Sequence, residues 1–351
     1  MRKADSDGEQ SDGPSRRRLL RAGARLTAVA AVGSAVSWGG MGTANAALPA
    51  SKHFNLPGAG GNPVWRATLQ EQNWAMQSFA YDNVNQNIYF VQHRIGTLAG
   101  HNGDLWITRT DLSGKKLGSM TVHGFGHGSS VGVEPVGAGS APYLWLEGYD
   151  SNDNGAGERL SRFRFVNGQV LEKTDPSIQD RTPTISSFAK LPRPAIDPYT
   201  NRLLIRYATQ EPADRVWRIV VFDMADAKAG RLSDGYRLAE RAIPTNAELG
   251  LSDSDLFQGI TLCGQYAYLY FGGPSRPSYL VRLDMNKTGS SYDEKFLTQA
   301  GESLPGREAQ GIAIWMSGGA PRLAFGYSSK TQASPENILD ASVFYKSEFV
   351  S

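Results

Sequence analysis

Val122-His123-Gly124-Phe125-Gly126-His127-Gly128-Ser129-Ser130-Val131-Gly132-Val133-Glu134 is a glycine-laced polar loop that runs straight into a short apolar strand. The same order, a polar lead and then small and apolar residues, recurs in four more places. These are Gln77-Ser78-Phe79-Ala80-Tyr81-Asp82, Pro192-Arg193-Pro194-Ala195-Ile196-Asp197, Gln258-Gly259-Ile260-Thr261-Leu262 and Gln310-Gly311-Ile312-Ala313-Ile314. The leads at 77, 129, 192, 258 and 310 lie 52, 63, 66 and 52 residues apart. A repeat of that order marks one supersecondary unit that buries its faces only against copies of itself.

Each lead is followed by a more aromatic segment: Asn87 to Val91, Tyr143 to Glu147, Arg202 to Arg206, Ala267 to Phe271 and Arg322 to Tyr327. Tyr, Trp, Ile and Val at this density between Asn, Gly and Pro turns is strand chemistry. A third segment alternates in the manner of a strand buried on one face and often ends in Asp plus an apolar residue, as at Asp111-Leu112, Asp223-Met224 and Asp284-Met285. With a more variable fourth strand, the unit is a blade. The chain is therefore predicted to be all-β, a five-bladed β-propeller; six or seven blades would need shorter repeats. The last copy lacks room for all its strands before Ser351, so Leu69 to Trp74 or its neighbours are predicted to complete the blade begun at Gln310 and seal the ring. No long amphipathic helix interrupts the pattern.

The first 46 residues read differently. Ser15-Arg16-Arg17-Arg18-Leu19-Leu20-Arg21 follows the twin-arginine export pattern, Ala22 to Ser37 is mildly apolar, and Ala44-Asn45-Ala46 offers a small-x-small cleavage site. Residues 1–46 are expected to be a signal peptide and 47–351 a single secreted propeller domain, with no membrane insertion after cleavage. Seven of the 36 Lys and Arg and four of the 34 Asp and Glu fall in that segment, leaving 29 and 30. Bulk charge thus implies neither nucleic acid nor a membrane surface as partner. Cys263 is the only cysteine, so no internal disulfide can form, and stability must come from burial, which roughly 300 residues can supply.

In a propeller the innermost strands line a central channel and their first residues ring its mouth. Gln77, His127, Arg193, Gln258 and Gln310, with Arg307 and Glu308 close by, are therefore expected to converge near the axis, with Gly or Ser behind them keeping the inner strands close.

The segments Met76 to Asp82, Gly126 to Glu134 and Gln310 to Ala313 resemble the β-propeller domain shared by teichoic acid biosynthesis protein C and staphylococcal phage receptor-binding proteins, with helveticin-type bacteriocins more distantly similar. The resemblance covers most of the chain beyond the export segment. It implies a five-bladed propeller acting at a Gram-positive cell surface, with wall teichoic acid or a related anionic glycopolymer as the ligand class. It carries a binding surface over more safely than a reaction.

Several constellations could carry chemistry. The five histidines all fall between His53 and His127. A neutral imidazole from His93, His101 or His127 could abstract a proton while Arg94, Arg193 or Arg307 neutralises charge, as β-elimination or phosphodiester cleavage requires. His93 and Arg94 are adjacent on or just past a strand, so their side chains should diverge. Glu134 and Glu308 are the best-placed carboxylates for glycoside hydrolysis. Asp150, Asn152 and Asn154 match the first half of a calcium loop, which Glu158 could close. Tyr143, Tyr149, Tyr207 and Tyr327 could stack sugars. Three classes of function fit: recognition of an anionic glycopolymer, cleavage of one by a lyase or phosphodiesterase-like depolymerase, and a bacteriocin-like interaction protein.

Overall fold

The computed structural model describes residues 47–94, 103–150, 156–209, 216–331 and 338–350. Its strands form five radial sheets in chain order. Blade 1 is Met76–Asp82, Asn87–His93, Leu105–Asp111 and Lys116–His123; blade 2 is Val131–Glu134, Tyr143–Asp150, Gly157–Arg164 and Gln179–Asp180. Blade 3 is Lys190–Asp197, Arg202–Ala208, Trp217–Asp223 and Arg237–Ala242; blade 4 is Leu256–Cys263, Tyr266–Gly272, Ser278–Asp284 and Glu294–Thr298. Blade 5 is Glu308–Ser317, Ala320–Lys330 and Leu339–Lys346, with Gly60–Ala67 as its outer strand. All of these neighbours pair antiparallel, while Val170–Glu172 adds a short parallel strand outside blade 1.

The expected closure by an N-terminal strand is thus present, made by Gly60–Ala67, the neighbour of Leu69 to Trp74. Pro63 and two glycines hide its strand character, yet an outer strand tolerates a proline because one of its edges is unpaired. The Leu69 to Trp74 stretch instead crosses blade 1. There Gln92 accepts from the Glu71 amide at 3.1 Å and donates to the Glu71 and Trp74 carbonyls at 2.6 and 2.7 Å. Residues 48–54 add a tie across blade 4, where Asn286 bonds both backbone groups of Leu48 and the Tyr268 hydroxyl accepts from the Phe54 amide. Phe54 then pairs with Phe349 in a two-stranded sheet.

The recurrent Asp residues have a structural role. Asp111, Asp223 and Asp284 accept backbone amides two residues on, closing the turn out of each third strand, and Asp82 and Asp197 do the same below the inner strands. The core lies between blades, where Tyr81 stacks on Trp315 and Tyr270 meets Tyr327 edge-on. Cys263 is buried in that core and burial raises its thiol well above the usual range, as suits a filler. One short helix, Met224–Lys228, follows the third strand of blade 3.

Candidate functional site

Inner strands run from the mouth to the opposite face, and each second strand returns to the mouth. Pairing slips at the start of four of the five inner strands, between Met76 and Ser78, Lys190 and Arg193, Phe257 and Gly259, and Ala309 and Ile312. Such bulges re-aim a side chain out of the sheet, and Gln77, Gln258 and Gln310 sit in them. The small residue behind each lead permits close approach. Gly311 has φ +76°, and a Cβ there would lie 2.9 Å from Ser78 Cα. Ser78 Oγ in turn donates to the Gly128 carbonyl and Ser130 Oγ to the Pro194 carbonyl, each at 2.6 Å. These contacts tie the inner strands of blades 5, 1, 2 and 3 together, and Gly259, where a Cβ would lie 3.1 Å from the Ile312 nitrogen, brings blade 4 against blade 5.

Below the mouth the axis narrows to a void of about 10 Å³ lined by Ala80, Val131, Val133, Ala195, Ile312 and Ala313 among others, room for no more than about one water. Among the described residues the inner strands thus nearly close the axis below the ring of lead residues, which is called the cup.

One wall of the cup is built on Glu147, fully buried on the second strand of blade 2. Its carboxylate pairs with Arg193 and accepts the amides of Gly128 and Gly157, each at 2.6 Å. Gly126 packs against it so closely that a Cβ would lie 2.6 Å from Glu147 Oε2. Glu147 therefore sets the shape of the loop that carries His127. Burial pushes its carboxyl upward, against Arg193 and the two amides. His127 stands beside His93, ring centroids 4.6 Å apart. Burial, His93 and Arg193 lower the His127 pKa to about 3, and burial also lowers that of His93. Both rings are neutral at neutral pH. Both ring nitrogens of His93 are buried and make no hydrogen bond among the described residues.

The facing wall holds Gln258, Glu308 and Gln310. Gln258 Nε2 reaches Glu308 at 3.4 Å, and burial raises the Glu308 carboxyl although Gln310 and Gln258 both hydrogen-bond it. Gln310 Oε1 is buried without a partner.

Around the cup, at the same end of the blades, arginines lie on aromatic rings. Arg206 is held between Trp217 and Phe257, its guanidinium 3.4 and 4.0 Å from the ring centres. Arg94 spans Trp74 and Trp106 at 5.4 and 5.6 Å, and Arg159 covers Tyr149 at 4.5 Å. Arg94 does diverge from His93. Arg206, Trp217, Phe257, Trp74, Trp106 and Glu147 were not candidates by sequence. Their signal was the polar or charged residue ending each second strand, at Gln92-His93, Glu147 and Arg206.

Other candidates lie elsewhere. Glu134 ends its inner strand at the opposite face, where Arg162 holds both its oxygens at 2.7 and 2.8 Å and Trp145 donates to it at 2.8 Å, so it is a structural anchor. Tyr207 is wholly buried and donates to Glu240 at 2.6 Å, and Tyr327 is wholly buried between blades 4 and 5, so neither offers a face to a sugar. Tyr143 lies at the face opposite the mouth, under Arg162 at 3.6 Å. Arg307 binds the Ala300 carbonyl and lies over Tyr327, lining a side cleft of about 330 Å³. His101, Asn152, Asn154 and the Asp150 side chain lie outside the described residues; Glu158 is exposed. Among the described residues no three or more His, Cys, Asp or Glu are arranged to hold a metal.

Comparison with known proteins gives the same architecture. A Bacillus subtilis (strain 168) protein named as a major teichoic acid biosynthesis protein C is 28% identical over 210 residues, 58% of this chain and 43% of the relative. The tail fiber of Staphylococcus aureus phage P68 shares the fold with a TM-score of 0.62 at 19% identity, over 85% of this chain and 52% of the fiber. The chain thus spans about half the length of these relatives. The phage 5-bladed beta propeller receptor binding platform domain matches residues 75–320, and the chain belongs to that family.

Proposed function

We propose that this protein is a secreted recognition propeller that binds an anionic cell-surface glycopolymer, of the teichoic acid class, at the mouth of its cup. The observation that carries this reading is the set of guanidinium-on-ring platforms around the cup. A planar ring offers an apolar face to a sugar, and a stacked arginine meets phosphate or carboxylate with little further loss of side-chain freedom. Inside, Gln310 Oε1 is a buried acceptor that has no hydrogen-bond partner among the described residues. The names of the relatives, one a teichoic acid biosynthesis protein and one a phage tail fiber, support a surface polymer as ligand. Export by the twin-arginine route would deliver the folded domain to that polymer.

The test is co-sedimentation with purified Gram-positive cell walls before and after chemical removal of teichoic acid. Binding is expected to depend on the polymer, to weaken with salt as charge–charge contacts do, and to fall roughly ten- to a hundredfold in Arg206→Gln, the roughly 1.5–3 kcal/mol of a charged hydrogen bond. Equal binding to stripped walls would refute the assignment. Release of phosphoglycerol or of an unsaturated sugar in the same incubation would turn the reading from recognition to cleavage.

A further inference from the structure

We propose that His93 and His127 form a binding site for a late first-row divalent metal ion, of the zinc, nickel or copper type, on one wall of the cup. The inference is independent of the glycopolymer reading.

It begins with His93. Buried polar groups in folded proteins nearly always have a partner, and one that lacks any points to a water, ion or ligand. His93 is only 7% exposed, and neither ring nitrogen has a hydrogen-bond partner among the described residues. Its nearest polar ring is that of His127, with centroids 4.6 Å apart and planes inclined by 46°. With a metal–nitrogen bond of about 2.0–2.1 Å, a ring centre lies roughly 3.2 Å from the ion, so two imidazoles on one ion have centres about 4.5 Å apart at a right angle and about 5.2 Å at the tetrahedral angle. The observed separation falls between these limits.

The surroundings suit the ion. A neutral imidazole carries one free lone pair, which is what such an ion takes up. The charges acting on the pair are those of Arg193 and Asp104. Arg193 would repel a cation, but its charge is matched by the buried carboxylate of Glu147 in direct contact. The donor set excludes calcium and magnesium, which take oxygen ligands, and selects metals that favour imidazole. Two protein ligands leave the rest of the sphere to water or to oxygens of whatever enters the cup.

The test uses the purified chain without an affinity tag, titrated with Co²⁺ while its d–d absorption is followed and with Zn²⁺ by calorimetry. About one equivalent should bind. His93→Gln and His127→Gln should each weaken binding by at least the roughly tenfold that even an outer-sphere substitution costs. His123→Gln, at the edge of blade 1 beside Glu172, should leave it unchanged. Zn²⁺ should raise the melting temperature of the parent but of neither mouth variant. If His93→Gln fails to fold, the half-buried His127 carries the test alone. Absence of saturable binding, or binding that survives His127→Gln, overturns the proposal.

Discussion

Replacing Arg193 with methionine tests how the mouth is held together. The substitution keeps most of the side-chain volume and removes the charge that faces the fully buried Glu147 carboxylate. Removing one partner of a buried ion pair costs about 3–5 kcal/mol. Unfolding entropy of about 2.1 cal/mol/K per residue over roughly 300 residues is about 0.6 kcal/mol/K, so the melting temperature should fall by about 5–8 °C. The loss should depend on pH. Burial already pushes the Glu147 carboxyl up with Arg193 present, and without it the folded-state pKa rises further above the unfolded value of about 4.5. The folded variant then binds more protons than the unfolded chain, so its stability is retained below about pH 4.5 and lost as pH rises through the folded pKa. Thermal melts of parent and Arg193→Met at pH 5 and pH 8 measure this, with the larger gap expected at pH 8. A shift below about 2 °C at pH 8, or a gap that shrinks as pH rises, would refute the argument.

Other outcomes follow from the same structure. Gly311→Ala should cost about 2–4 kcal/mol, from strain at φ +76° and from a Cβ 2.9 Å from the Ser78 backbone, whereas Gly139→Ala, at φ +73° but with open space around it, should cost about 1–2 kcal/mol in denaturant titrations. Tyr207→Phe should lower stability by about 1–3 kcal/mol, because Glu240 loses a buried donor, and leave wall binding unchanged. Glu134 should contribute to acid unfolding. Burial alone would raise its carboxyl, but the hydrogen bonds and charge of Arg162, with Trp145 and Lys228, outweigh that and hold it low. Its stabilisation is present above the unfolded value of about 4.5 and lost as pH falls through the folded pKa, so Glu134→Gln should flatten the acid limb of a stability–pH curve.

The ring was legible because its physics repeats locally. A Gln in a bulge followed by a small residue, a second strand of aromatics and an Asp closing the turn each leave a short-range mark, and Gln77, Gln258 and Gln310 were readable from it. What escaped was set by partners distant in sequence. Glu147 reads as one more polar residue in a strand until Arg193, 46 positions on, meets it. Arg206 gains its meaning from Phe257 in the next blade. Glu134 misled for the complementary reason: it closes the most conspicuous motif, but a four-residue strand carries it to the opposite face. Closure of the last blade by an N-terminal strand was legible, but its bounds fall a few residues earlier than expected because Gly60–Ala67 is shaped by its pairing with Leu339–Lys346 and not by its own alternation.

The most direct measurement is the bound-state structure of residues 47–351 with a short teichoic acid fragment. A fragment seated in the cup, with a sugar or polyol against Trp217 or Trp106 and a phosphate at Arg206 or Arg94, is the predicted result. A fragment bound on the opposite face or along the blade edges, with the cup empty, would contradict it.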